Sequence, residues 1–197
     1  NALPESQDLT LPPVAMHDRY GPFFRSFFAH YFKPIQFPEE AAAQIRALSE
    51  KGTVVYVSRA ASQLHFLYMN NVCLQHELPL AKFVNGINPV LVQPVEDLLE
   101  RMRVVGREDV SDLDAEGEAL ALRQLAQTIE EKQSALLFMQ QPSTLTNPRG
   151  GGNSGVLQCL IEQQRKSDRP IYLIPHLIVW DLHPEREAKS LADTVFG

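Results

Sequence analysis

Three apolar runs constrain the fold of this chain more than any other feature: "TVVYVS" from Thr53, "SALLFMQ" from Ser134 and "RPIYLIPHLIVWD" from Arg169. All three are rich in β-branched and aromatic residues and lack the polar alternation of a half-exposed strand. They therefore predict strands covered on both faces. A shorter strand is expected at "AKFVNG", from Ala81. Helical segments separate these runs. "FPEEAAAQIRALSEKG" has Pro38, Glu39 and Glu40 at its start and Lys51 and Gly52 at its end, the order that the helix dipole favours. Further helices are predicted from about Ser62 to Glu77, Pro94 to Arg103, Gly117 to Gln133 and Val156 to Asp168. The alternation gives an α/β fold, with a mostly parallel central sheet and helices on both faces.

Ahead of this unit, residues 1–19 carry scattered prolines and polar residues and read as an arm with little structure of its own. Next, "YGPFFRSFFAHYF" places Phe23, Phe24, Phe27, Phe28, Tyr31 and Phe32 on one helical stripe. Five of the ten phenylalanines fall in this segment, more than a peripheral helix of an isolated domain needs. Two readings are open. The stripe packs on its own core, or it is an interface for a second domain or a lipid surface. The expected division is an arm and aromatic helix over 1–37 and the α/β domain over 38–197.

A length of 197 residues with 44% hydrophobic content suits one soluble globular domain. The net charge of −6, with no basic cluster, argues against a nucleic-acid partner. Cys73 and Cys159 sit apart in helix-like segments and predict reduced thiols, and hence a cytoplasmic setting. No apolar run reaches the roughly 20 residues of a membrane span. The ending "TVFG" is abrupt and reads as a cut between domains of a longer protein.

Two segments, "GTVVYVSRAASQLHFLYMNNVCLQHELPLAKFVNGI" and "RPIYLIPHLIVWD", the latter with Pro175 and Ile178, resemble the glycerolipid acyltransferases, above all the bacterial glycerol-3-phosphate acyltransferases. The likeness covers roughly three quarters of the chain. It implies transfer of a fatty acyl group from acyl-CoA or acyl carrier protein to glycerol-3-phosphate, in phospholipid synthesis. A glycerol hydroxyl attacks a thioester only when a base takes its proton, which a histidine oriented by a carboxylate can do. The family carries that pair as H-x-x-x-x-D after the first strand, and a glutamate and an arginine in E-G-x-R-S after a later one.

This sequence departs from both motifs. With "VVYV" and Ser62 fixing the register, Ala60 stands at the histidine position and His65 at the aspartate position. In "FMQQPST", Gln140 takes the glutamate position and Ser143 the arginine position. Arg101 or Arg103 is a weak match to an intermediate arginine. The resemblance therefore implies a degenerate acyltransferase-like region that precedes a catalytic acyltransferase domain of the same chain, serving as scaffold or interaction module at the inner membrane surface. An atypical enzyme using His65 or His176 is the alternative, and a lipid- or nucleotide-binding module without turnover is a third.

A rival pairing of His65 with Asn70 fails on geometry. Five residues turn two helical side chains about 140° apart, and a histidine at 65 would stand a full turn into the helix, away from the strand end. In "NPRGGGNSG", Arg149, Gly150 and Gly151 precede a helix and could contact a phosphate or coenzyme A, although a flexible connection is the plainer reading. The acidic loop "GREDVSDLDAEGE" lacks the calcium-loop spacing, and no His/Cys spacing predicts a metal site. No cofactor is expected. Ser58, Ser62 and Ser143 lack the G-x-S-x-G context of a hydrolase nucleophile, and no serine is expected to meet a base.

Overall fold

A computed structural model describes residues 14–33, 35–87, 113–140 and 154–178. Its elements in chain order are α1 (Pro22–Tyr31), α2 (Glu39–Lys51), β1 (Thr53–Ala60), α3 (Gln63–Gln75), β2 (Ala81–Val84), α4 (Leu113–Glu130), β3 (Ser134–Gln140), α5 (Ser154–Lys166) and β4 (Ile171–Pro175). The strands form one all-parallel sheet in the order β2-β3-β1-β4. The α/β class expected from the apolar runs is the class observed.

Strand order determines which face each helix covers. From β1 the chain steps one way to β2, and from β3 it steps the other way to β4. Right-handed crossovers then place α3 and α5 on opposite faces. Val54, Tyr56, Leu136 and Phe138 accordingly pack with α2, α3 and the end of α1, whereas Val55, Ala135 and Leu137 pack with α4 and α5. Alternate residues of one strand serve two cores, which is why polar residues stand only towards the ends of β1 and β3.

Helix α3 is enclosed far more than a surface helix, with nine consecutive residues, His65 to Cys73, all buried. A helix apolar on every side needs cover on every side. That cover includes α1, whose Phe28 and Phe32 are buried in the same cluster, with Phe32 edge-on to Tyr68 at 5.4 Å. It also includes the segment before α1: residues 14–20 form no helix or strand, in line with an arm of little structure of its own, but they pack onto the domain. Met16 is buried, and its N–H donates to the Ala81 carbonyl at 2.8 Å. Asn70, in mid-helix, accepts from the His17 N–H at 2.8 Å and from the Tyr20 hydroxyl, and donates to the His17 carbonyl at 2.9 Å. A buried amide demands partners, and the arm supplies them.

Several boundaries differ from the sequence reading. Helix α4 begins at Leu113 rather than Gly117, so part of the acidic loop is helical. Helix α5 begins at Ser154, two residues early. Strand β4 ends at Pro175, and the residues after it are not strand. It is also an edge of the described sheet rather than a strand covered on both faces, with Leu173 47% exposed. A proline without an N–H is tolerated at such an edge. The expected helix over 94–103, the rest of the acidic loop and most of the glycine-rich loop lie outside the described residues. Among the described residues, no helix is long and apolar enough to cross a membrane.

Candidate functional site

In parallel sheets, sites form beyond the carboxyl ends of the strands, where neighbouring strands send their connections to opposite faces. Here that place is the boundary between β1 and β3, and the chemistry-bearing side chains gather around it. Ser58 sits near the end of β1, on the face that α3 covers. Ser62 caps α3, its hydroxyl accepting from the His65 N–H at 3.3 Å. His65 therefore stands in the first turn of the helix, close to the strand end. The expectation that it would lie a full turn away is corrected, because the helix starts only at Gln63.

The side chain of His65 turns back over β1, bringing Nδ1 3.2 Å from Ser58 Oγ. No serine was expected to meet a base, and this contact overturns that reading. Residues 58 and 65 face each other only because the strand-to-helix turn is tight. Beyond the end of β4, the His176 N–H donates to the Val57 carbonyl at 2.9 Å and prolongs the ladder by one bond. Its ring meets that of His65 edge-on, with centroids 4.5 Å apart. Phe138 on β3 and Tyr56 on β1 flank the pair, at 5.9 Å from His65 and 6.5 Å from His176 respectively.

Burial governs the chemistry of these groups. Ser58 is 3% exposed and His65 9%. Burial pushes the His65 imidazole down to about 4. His176 is also pushed down to about 4, by burial first and by neighbouring His65 second, against a smaller opposing effect of the Ile174 carbonyl. Both rings are therefore neutral at pH 7. Nε2 of His65 and both ring nitrogens of His176 are buried without a well-formed hydrogen bond among the described residues, the His176 ring having the Ile174 backbone as a marginal partner. A neutral imidazole beside a hydroxyl can accept its proton, but among the described residues no carboxylate bonds to either ring.

The motif positions fall at the same end of the sheet. Ala60 and Gln140, the last residues of β1 and β3, are direct cross-strand partners. The Ala61 N–H donates to the Gln140 carbonyl at 3.2 Å. Ser143, Arg149, Gly150, Gly151, Arg101 and Arg103 lie outside the described residues. Asn70 does not meet His65, since its amide is taken up by His17 and Tyr20. Of the aromatic stripe, Phe28 and Phe32 are buried in the core, Phe27 packs against it half-buried, and Tyr31 is 48% exposed. Phe23 and Phe24 belong to the first turn of α1. Of the two readings of this stripe, packing on its own core is the one that Phe28 and Phe32 follow, because α3 needs cover.

One polar residue near the site escaped the sequence reading. Asn85, just after β2, donates through Nδ2 to the Phe138 carbonyl at 3.1 Å and accepts the Phe138 N–H at 2.7 Å. Its amide copies one more residue of strand pairing. An asparagine next to a glycine with φ of 69° is the available signal, since that pair ends a strand sharply.

Among the described residues, no group of three or more His, Cys, Asp or Glu side chains is placed to hold a metal ion. Cys73 is buried and Cys159 half-buried, both as free thiols. Burial pushes the Cys73 thiol up to about 12, which makes it inert at neutral pH. No protein-family model, curated protein or solved structure matches this chain.

Proposed function

We propose that this chain is an acyltransferase-like domain of the glycerol-3-phosphate acyltransferase type whose own chemistry has been lost, and that it acts as a scaffold beside a catalytic domain at a membrane surface. The observation that carries this reading is the pairing of Ala60 with Gln140. The resemblance assigns these positions to the catalytic histidine and to a motif glutamate. They are adjacent at the carboxyl end of a parallel sheet, where two converging motifs belong, yet neither side chain can act as a base at neutral pH. The test is acyl transfer from labelled acyl-CoA to glycerol-3-phosphate, run with residues 1–197 alone and with the full-length parent protein. Silence from the fragment beside turnover by the parent is expected. Turnover by the fragment that disappears in His65→Ala would overturn the reading.

One observation favours the second reading, an atypical acyltransferase. The 3.2 Å contact between Ser58 Oγ and His65 Nδ1 has the spacing of a nucleophile and its base. Its burial and the lack of a carboxylate partner among the described residues weigh against it.

A further inference from the structure

Nε2 of His65, and the ring of His176 with no more than the Ile174 backbone beside it, are the least satisfied polar groups of the site. Buried polar groups are nearly always bonded, and an orphaned group points to a water, an ion or a ligand. Two imidazoles from separate elements touch here, at the strand ends where a parallel sheet places its sites. A buried water can bridge two such nitrogens, making a hydrogen bond to each ring. A transition-metal ion takes a lone pair from each ring.

The spacing selects the kind of ion. With a metal–nitrogen bond of about 2.0–2.1 Å, the ring centre lies about 3.2 Å from the metal. If one nitrogen of each ring faces a shared ion, centroids 4.5 Å apart subtend about 90° there. That angle is the cis arrangement of square-planar or octahedral coordination rather than the wider tetrahedral one. Ser58 adds what metal-bound histidines usually have, an oxygen on the other ring nitrogen. In the tautomer whose Nδ1–H donates to Ser58 Oγ, the alternative to the serine giving its proton to Nδ1, Nε2 is left as a bare lone pair. Protons do not compete at neutral pH, because burial keeps both rings uncharged.

We propose that His65 Nε2 and a ring nitrogen of His176 form a two-imidazole site for a divalent late transition-metal ion of the Ni2+ or Cu2+ class, with Ser58 as a positioning residue. With two protein ligands, the remaining coordination positions are filled by water or an added small anion. The inference stands independently of the scaffold reading, since a silent domain and an atypical enzyme could each hold the ion.

The test titrates Ni2+ into tag-free, EDTA-stripped residues 1–197 by calorimetry, and records the electron paramagnetic resonance of bound Cu2+. One saturable site is expected, with a Cu2+ spectrum split by two imidazole nitrogens. His65→Phe and His176→Phe should each abolish it. Ser58→Ala should weaken binding roughly 10- to 100-fold, the usual effect of losing the partner that orients a metal-bound histidine. His76→Ala removes the surface pair in which His76 Nδ1 lies 2.9 Å from Glu39 Oε2, and should leave the site intact. Lack of saturable binding at millimolar Ni2+ would overturn the proposal. So would binding that survives His65→Phe or vanishes with His76→Ala. Should a Phe variant fail to fold by circular dichroism, the nitrogen count in the wild-type spectrum and the Ser58→Ala affinity decide the matter: one nitrogen, or an unchanged affinity, would sink it.

Discussion

Replacing Asn85 with alanine tests how the sheet is closed beside the candidate site. The side chain is 7% exposed and makes both an accepting and a donating bond to the backbone of Phe138, inside β3. Truncation leaves a buried N–H and a buried carbonyl without their partner. Each such loss costs about 1–3 kcal/mol, so Asn85→Ala should destabilise the domain by roughly 2–5 kcal/mol. That is a large share of the 5–15 kcal/mol typical of a folded domain. The assay is urea unfolding, read as a lower midpoint at an unchanged slope. Asn85→Asp separates the two bonds. Its carboxylate still accepts from the Phe138 N–H but sets a second oxygen against the Phe138 carbonyl. Protonation would relieve that clash, so the folded state should bind the proton more tightly than the unfolded chain. The deficit of Asn85→Asp relative to wild type should therefore shrink as pH falls from 7 to 5. A loss below about 1 kcal/mol for Asn85→Ala, or a pH-independent deficit for Asn85→Asp, would refute the reasoning.

Three further outcomes are expected. For metal-free protein with EDTA present, both buried histidines titrate near 4 when folded and near 6.5 when unfolded. The unfolded chain thus binds more protons between those values. Stability should be complete above pH 6.5 and fall as pH drops towards 4, by up to about 3 kcal/mol per histidine; thermal melts across that range that stay flat would contradict the burial argument. At Gly52 an added Cβ would lie 2.3 Å from the Pro170 carbonyl oxygen, so Gly52→Ala must push β1 and the start of β4 apart and should cost about 1–3 kcal/mol in chemical denaturation. Arg169 donates to the Ser49 and Gly52 carbonyls at 2.9 and 3.1 Å, near the end of α2, and Arg169→Ala should lower stability by about 1–2 kcal/mol and speed amide exchange in the last turn of that helix.

Much of the architecture was legible in the chain. The runs at 53–58 and 134–140 announced buried parallel strands because a strand serving two cores cannot afford polar alternation. The acidic start and the Lys51-Gly52 end of α2 fixed its limits through local interactions alone. That neither Ala60 nor Gln140 can act as a base was likewise plain from residue identity, and so was the failure of His65 to meet Asn70, since helical phase is a local property.

Contacts between elements were not legible. The sequence shows a helical segment at "QLHFLYMNNVCLQ", but that its far side is roofed by Phe28, Phe32 and the Asn70 tether to residues 17 and 20 depends on where α1 lands. The strand at 171–175 has the composition of a central strand and becomes an edge because the order β2-β3-β1-β4 leaves it outermost among the described strands. His65 and His176 are far apart in the chain and acquire their contact, their low affinity for protons and their poorly satisfied nitrogens only when β4 settles beside β1. Periodicity and end signals act within a few residues of chain and can be read there. Strand order and burial depend on which distant surfaces exclude water together, and those the folded sheet alone decides.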